Sequence, residues 1–275
     1  MADIRAGIQY AFQTRSKLVL AVSGSGHAGM ETVISNLLAP GELLLVPSRG
    51  IWDERAKDMA GRYGENVQSS PFTTFSLEEL ESALERHRPA GLFITHGDSS
   101  TGTLQSMEGL GDLCHRYGAL LLVDTVVSLG AEPFLMDSWG VDGAYAACQK
   151  ALSGPAGGLP YNKRFFCRCV RNGTEPFVRE SNSPLAGFHF TSYHHTLSFP
   201  LLWALRACLS QLARESLPRA WARHGAVAAR FHARLRAHGF EFLVRRPEDR
   251  MAAVTTVLLP EGLGHNKFVA QLRDT

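Results

Sequence analysis

Two kinds of apolar pattern alternate over the first 150 residues, and this alternation restricts the fold more than any other feature. Short, nearly continuous apolar runs predict buried strands at residues 18–22, 43–46, 92–95, 119–123 and 143–147. Helical spacing predicts helices between them, at 3–13, 28–38, 52–63, 76–86 and 107–117. Strands that are apolar on both sides belong to parallel sheets covered by helices. The chain is therefore predicted to be an α/β protein with a mostly parallel sheet flanked by helices.

One helix start is specified by side chains. Ser76 is followed three residues later by Glu79, which is the spacing of a capping box. The Ser76 hydroxyl is expected to accept a hydrogen bond from the Glu79 amide, while the Glu79 carboxylate reaches back to the Ser76 amide.

The alternation ends after residue 150. Residues 153–192 are rich in glycine, proline, arginine and asparagine and show no periodicity, so they are expected to be irregular. Beyond them the pattern predicts two long helices, two short strands and a last helix, at 199–217, 218–238, 240–244, 254–259 and from 265. We predict a large domain over residues 1–222 and the start of an incomplete small domain over 223–275.

Composition excludes several classes of function. The 28 basic and 26 acidic residues are interspersed, without the basic, aromatic-rich stripe of a nucleic-acid-binding protein. The sequence has no apolar stretch of 18 residues, so we expect no membrane-spanning helix. The five cysteines are odd in number and irregular in spacing, which favours a reducing compartment over a disulfide framework. No metal site is predicted, because a Cys-x-Cys pair is a weak signal.

Polar segments follow several of the predicted strands. In parallel sheets, ligands bind at the carboxyl ends of the strands. The turn SGSGH at 23–27 is suited to phosphate binding at a helix N-terminus, but it is also a plain tight turn. Asp124 either caps the next turn or pairs with a protonated ring nitrogen, and Lys150 is either a solvated side chain or a nucleophile. Trp52 either stacks on a planar ligand or packs in the core.

Five segments carry a resemblance to a known family: SGSGH (23–27), GIWDERAKDMAGRYG (50–64), THGDSSTGTLQ (95–105), CHRYGALLLVDTVVSLG (114–130) leading to CQKAL (148–152), and YHHT (193–196). Together they resemble the alanine–glyoxylate / serine–pyruvate aminotransferase family. Its members have the aspartate-aminotransferase fold, which is pyridoxal-phosphate (PLP) fold type I. The resemblance implies transamination between a small amino acid, alanine or serine, and a 2-oxo acid such as glyoxylate or pyruvate.

The same resemblance implies roles around the cofactor ring. Lys150 is similar to the lysine that holds PLP covalently and then acts as the base. Asp124 corresponds to the partner of the pyridine nitrogen. Val126 and Trp52 are expected on opposite faces of the ring, and Ser99 near its hydroxyl group.

Further residues are implied to hold the phosphate. Within one subunit these are Ser25, Gly26, His27 and Gln149. Tyr193 and Thr196 are expected to reach the cofactor phosphate of the neighbouring subunit, so the functional unit implied is a homodimer. The family also implies a peroxisomal or mitochondrial location, although no targeting signal is visible.

Three features differ from the family pattern. The chain is expected to be truncated at both ends, since it lacks the family's N-terminal arm and much of its small domain. Residues 153–192 do not resemble the family. The arginine that binds the substrate carboxylate has no counterpart, because Arg245, Arg246 and Arg250 lie outside the expected motif.

Other functions stay open from the sequence. One is a catalytically impaired fragment or pseudo-enzyme of the same family, and another is a related lyase or cysteine desulfurase. A dinucleotide-binding oxidoreductase is disfavoured, because the glycine turn lacks the G-x-G-x-x-G spacing and Pro47 stands where an acidic residue is expected.

Overall fold

A computed structural model of the chain describes residues 2–16, 19–64, 66–71, 74–155, 160–164, 198–259, 262 and 264–273. The helices in this part of the chain are α1 (Ala2–Phe12), α2 (Gly26–Leu37), α3 (Ile51–Arg62), α4 (Leu77–His87), α5 (Leu110–Arg116), α6 (Phe199–Glu215), α7 (Leu217–Ala237) and α8 (His265–Arg273). The strands are β1 (Val19–Ser23), β2 (Leu43–Ser48), β3 (Asn66–Pro71), β4 (Gly91–Thr95), β5 (Gly97–Asp98), β6 (Thr103–Leu104), β7 (Leu120–Asp124), β8 (Gly143–Ala146), β9 (Pro160–Arg164), β10 (Glu241–Phe242) and β11 (Val257–Leu258).

In the described part of the chain, seven strands form the central sheet, in the order β1-β9-β8-β7-β4-β2-β3. The pairs among β8, β7, β4, β2 and β3 are parallel, whereas β9 is antiparallel to both β1 and β8. The prediction of a mostly parallel sheet flanked by helices is therefore confirmed.

Both faces of the sheet are buried, which explains the continuous apolar strands. In β7, Leu121 and Val123 pack in one apolar cluster with residues of α1, α4, α5 and α6. Leu120 and Leu122 point the other way, into a second cluster with residues of α2 and α3. Because side chains alternate along a strand, Asp124 follows the second set and faces α2.

Register brings the ends of three parallel strands together. Thr95 of β4 pairs with Asp124 of β7, and Asp124 pairs with Tyr145 of β8. Their side chains therefore lie side by side at the carboxyl edge of the sheet. The amino end of α2 reaches the same edge, because β1 ends two residues before Ser25, the N-cap of this helix.

Several predicted elements differ in detail. β3 was not expected, because an edge strand of sequence NVQSSP lacks an apolar pattern. Residues 153–192 were expected to be irregular, yet β9 lies within them and is paired on both sides. Its backbone pairing, not its side-chain pattern, defines this strand. Helix α5 begins at Leu110 rather than 107, since Gly109 has a left-handed backbone with φ of 75°.

The chain after residue 198 follows the predicted order of two helices, two strands and a helix, although β10 and β11 have only two residues each. Helix α7 runs continuously across residue 222, where the domain boundary is predicted, and the division into two domains stays a prediction. Among the helices described, none is long and apolar enough to cross a lipid bilayer.

The capping box at the start of α4 is confirmed. The Ser76 hydroxyl accepts a hydrogen bond from the Glu79 amide at 3.2 Å, and the Glu79 carboxylate accepts one from the Ser76 amide at 2.8 Å. Two donors that a helix start leaves without intrahelical partners are thus satisfied.

Replacing the capping hydroxyl tests this assignment. Ser76→Ala is expected to lower the free energy of unfolding by about 1 kcal/mol, because the Glu79 amide loses its acceptor. Urea denaturation measures the change. Ser82→Ala, in the interior of the same helix, is the control and is expected to be close to neutral. Equal effects of the two substitutions would contradict the cap.

Candidate active site

A cavity of about 190 Å³ opens at the carboxyl edge of the sheet. Its walls come from the start of α2, the start of α3, the ends of β7 and β8, and the loops that follow them. The lining residues are Ser25, Gly26, His27, Met30, Trp52, Gly97, Asp124, Val126, Val127, Tyr145, Gln149 and Lys150. An acid, an amine, an indole and a helix N-terminus thus border one space.

The acid in this cavity is buried, and no described residue places a cation against it. Asp124 is 4% exposed, and one carboxylate oxygen accepts a hydrogen bond from the Val126 amide at 2.8 Å. Its other oxygen accepts one from the Tyr145 hydroxyl at 2.5 Å. Burial raises the pKa of Asp124 to about 7 against the opposing effect of these two donors. A cationic group in the cavity would stabilise the anionic form strongly.

The N-terminus of α2 forms a second wall. The Ser25 backbone is extended, and its hydroxyl makes no capping hydrogen bond. The first amides of a helix have no intrahelical acceptor, and the helix dipole favours an anion beside them. Gly26 lies close to the turn after β7, because a Cβ atom there would be 3.9 Å from Val126 Cγ2. This wall is suited to a phosphate group.

Trp52 forms a third wall. Its indole nitrogen donates a hydrogen bond to the Ser99 hydroxyl at 2.9 Å, and its ring centroid is 5.9 Å from that of His27. The indole is half-buried, so it is neither a core residue nor free in solvent. A planar ligand between Trp52 and Val126 would contact apolar groups on both faces.

A network of hydrogen bonds fixes the start of α3 and hence Trp52. The Asp53 carboxylate accepts hydrogen bonds from the amides of Arg49 and Gly50 at 3.0 and 3.2 Å, and from the Thr95 hydroxyl at 2.6 Å. The Arg49 guanidinium donates to the Thr95 carbonyl and to the Gln105 side chain. Burial lowers the pKa of Arg49, while the nearby carboxylates of Asp53 and Asp98 oppose that shift.

Lys150 and Gln149 lie on the loop that follows β8. Two backbone hydrogen bonds of 2.8 Å close this loop, from the Ser153 amide to the Lys150 carbonyl and from the Gly154 amide to the Cys148 carbonyl. The Lys150 side chain is exposed at the cavity rim, whereas the Gln149 side-chain oxygen is buried and has no hydrogen-bond partner in the part of the chain that is described. A buried acceptor without a partner is rare, and Gln149 lines the cavity.

His96 lies beside the site as a buried packing residue. It is 2% exposed, its Nδ1 lies 2.9 Å from the Ser128 hydroxyl, and its ring packs against Phe134 and Trp139. Burial lowers the pKa of His96 to about 3. A neutral, enclosed imidazole of this kind holds the loop together and does not reach the cavity.

The structure brings together most of the residues singled out from the sequence. Eight line the cavity: Ser25, Gly26, His27, Trp52, Asp124, Val126, Gln149 and Lys150. Ser99 contacts the Trp52 indole. Tyr193 and Thr196 lie outside the described residues. The two interpretations of Asp124 are compatible, since one of its oxygens caps the following turn while the residue lines the cavity.

Four lining residues were not anticipated: Met30, Gly97, Val127 and Tyr145. Tyr145 read as an ordinary apolar strand residue in GAYAA. Its place beside Asp124 depends on the register between β7 and β8, which no local pattern encodes. A correct alignment of these two predicted strands would have placed Tyr145 beside Asp124, and this pairing was the signal that the sequence offered.

Comparison with known proteins identifies the family. Residues 1–273 match Aminotransferase class-V. The chain is 42% identical to alanine–glyoxylate aminotransferase of Oryctolagus cuniculus, over 94% of this chain and 69% of that protein. For the Rattus norvegicus enzyme the identity is 41%, over 100% and 69%. The crystal structure of alanine–glyoxylate aminotransferase from Nostoc sp. has a TM-score of 0.90 and 38% identity, over 99% of this chain and 74% of that chain.

The chain therefore belongs to the class-V aminotransferases, which are transferases that use pyridoxal phosphate. The cavity fits this cofactor in two independent respects. A carboxylate that has only neutral donors among the described residues faces the space, and a helix N-terminus borders it. A pyridinium nitrogen and a phosphate supply the charges that these groups lack.

The buried acid predicts a pH dependence of stability. Because the pKa of Asp124 is raised to about 7 in the folded protein, its contribution to stability is complete below about pH 4 and is lost as the pH rises through about 7. The cofactor-free protein is therefore expected to lose stability over this range relative to Asp124→Asn. Thermal unfolding of the two proteins between pH 4 and 8 measures the difference. A difference that does not vary with pH would contradict the buried-acid account.

Proposed function

We propose that the protein catalyses PLP-dependent transamination between a small amino acid, alanine or serine, and a 2-oxo acid such as glyoxylate or pyruvate. The observation that carries this proposal is the meeting of Lys150 and Asp124 around one cavity at the sheet edge. The relatives with about 40% identity are named alanine–glyoxylate aminotransferases, which favours alanine and glyoxylate as substrates.

Each residue is assigned a role at a stated atom. When bound, PLP supplies an electron sink for the pair of electrons released at the substrate Cα. Lys150 Nζ would hold the cofactor between turnovers, and would then take the proton from the substrate Cα and pass it to the cofactor's C4′ carbon. The Asp124 carboxylate would keep its negative charge toward the ring nitrogen. Trp52 and Val126 would hold the ring between them and exclude water from its faces.

The phosphate group is assigned to the start of α2. Ser25, Gly26 and His27 supply backbone and side-chain donors there, and Gln149 supplies its amide from the opposite loop. Ser99 is assigned to the ring hydroxyl through its position next to the Trp52 indole. These assignments anchor the cofactor at both ends, so that Lys150 meets it in a fixed geometry.

A cysteine desulfurase is a weaker alternative for the same fold. Such an enzyme needs an accessible thiolate. Among the described residues, the cysteines Cys114, Cys148 and Cys208 are buried, and burial raises the pKa of Cys148 to about 12. A pseudo-enzyme is distinguished from an active transaminase by turnover and not by cofactor binding.

We further propose that the active unit is a homodimer in which Tyr193 and Thr196 reach the neighbouring cofactor phosphate. The division into a large domain over 1–222 and a small domain over 223–275 is part of the same proposal. So is a peroxisomal or mitochondrial location. These three statements are supported by the resemblance of the motifs.

Covalent capture of the cofactor tests the role of Lys150. The protein mixed with PLP is expected to develop a visible absorbance band, and borohydride reduction is expected to fix the cofactor on Lys150, as seen by peptide mass spectrometry. Lys150→Arg keeps the positive charge but is expected to give no trapped adduct and no turnover. Alanine should discharge the band of the original protein and yield pyruvate.

The trapping experiment also distinguishes an active transaminase from a pseudo-enzyme. Trapping on Lys150 without reaction with alanine, serine or glyoxylate would support the pseudo-enzyme. Trapping at another lysine, or no trapping, would contradict the proposed function.

Mixed dimers test the shared site. Lys150→Ala and the double variant Tyr193→Ala/Thr196→Ala are each expected to be inactive. After the two are mixed through a dissociated state, hybrid dimers contain one intact site, so activity is expected to return to about a quarter of the original. Enzyme assays after re-association measure it. Absence of any recovery, with dimers confirmed by ultracentrifugation, would place these residues in their own subunit's site or in none.

A further inference from the structure

Tyr145 makes a contact with the site that the assigned roles do not use. Its side chain is fully buried, at 0% exposure, and its hydroxyl donates a hydrogen bond to Asp124 Oδ2. Asp124 and Tyr145 are register partners on neighbouring parallel strands, so their side chains leave the sheet on the same face. The backbone supports the pair, since the Thr125 amide donates to the Tyr145 carbonyl at 3.0 Å.

The tyrosine ring has little room to move. It packs in the apolar cluster between the sheet and α2, with Met30, Val33 and Leu122. Gly29 of α2 lies directly over the ring, where a Cβ atom would be only 2.7 Å from Tyr145 Cδ2. Because the ring is held between helix and sheet, the position of the hydroxyl is fixed as well.

The Tyr145 hydroxyl and the Val126 amide occupy one oxygen each of the Asp124 carboxylate. Both donors are neutral. In the part of the chain that the structure describes, no ion pair to Asp124 is present. Neutral donors orient a carboxylate without cancelling its charge, whereas an arginine or lysine in the same place would compete with a cationic ligand.

We propose that Tyr145 is a positioning residue, which holds the Asp124 carboxylate oriented toward the cofactor's ring nitrogen. The inference rests on the proposed function, since it concerns the same cavity. The proposed role of Tyr145 concerns only the contact between Asp124 and the ring nitrogen. Loss of the hydroxyl should leave phosphate binding at α2 intact and weaken only the contact between acid and ring.

An analogue of the cofactor isolates that contact. In 1-deazapyridoxal phosphate a carbon atom replaces the ring nitrogen, while the aldehyde and phosphate are unchanged. The experiment measures the dissociation constants of PLP and of the analogue for the cofactor-free protein, through quenching of tryptophan fluorescence. The variants are compared by the ratio of the two dissociation constants. A change at the phosphate or at Lys150 affects both ligands equally and therefore cancels in this ratio.

Tyr145→Phe keeps the ring packing and removes the hydroxyl. It is expected to weaken PLP binding about tenfold, equivalent to about 1.4 kcal/mol, and to leave binding of the analogue unchanged. Gly29→Ala is a second variant, which presses on the ring and keeps the hydroxyl. Gly29→Ala is expected to weaken binding of PLP more than binding of the analogue, as Tyr145→Phe does. A movement of α2 that weakens binding of both ligands would not alter this difference. Ser35→Ala, at a half-buried position further along α2, is the matched control and is expected to leave the ratio unchanged.

The outcomes separate the two claims. If wild-type protein binds PLP and the ratio is unchanged in Tyr145→Phe, the positioning role is overturned while the proposed function stands. This includes equal weakening of both ligands, since the hydroxyl would then act on general packing. If wild-type protein binds neither ligand, the proposed function fails, and this inference fails with it.

Discussion

The organisation of the site depends on one interaction, the placement of an unneutralised carboxylate at the dry edge of the sheet. A buried acid without a cation is unfavourable unless it is protonated or meets a positive charge. Among the described residues Asp124 meets only neutral donors, and burial raises its pKa to about 7. The described part of the fold thus leaves this acid without a cation beside a cavity that Lys150 also borders. A cationic pyridine ring would fill the cavity and supply the positive charge that the Asp124 carboxylate needs.

The surrounding elements make that placement possible. Register aligns the last residues of β4, β7 and β8, so that Thr95, Asp124 and Tyr145 emerge together. Thr95 ties the edge to Asp53 and thereby to the start of α3, which carries Trp52. The start of α2 brings positive potential to the opposite wall. The acid, the indole and the helix N-terminus are consequently fixed to rigid elements, which is the arrangement that precise catalytic geometry requires.

Local patterns in the sequence predicted the parallel sheet, the helices and part of the cavity lining, whereas Val126 and Gln149 came from the family resemblance. They succeeded because buried parallel strands are apolar on both faces, and because polar groups at their carboxyl ends stand out, as Asp124 and Lys150 do. They failed where pairing is set by the backbone, as in β3 and β9. They also missed Tyr145 and the hydrogen bond from the Thr95 hydroxyl to Asp53, since strand register and long-range partners are tertiary properties. The assignment to the aminotransferase family came from whole motifs, because single residues such as Asp124 and Lys150 left several interpretations open.

The central claim is that the carboxylate of Asp124 keeps the cofactor's ring nitrogen protonated. The most direct measurement is the nitrogen-15 chemical shift of PLP labelled at the ring nitrogen and bound to the protein at neutral pH. The account predicts the shift of a protonated pyridinium, which should change to that of a neutral pyridine when Asp124 is replaced by alanine. A neutral ring nitrogen in the unaltered protein would contradict it.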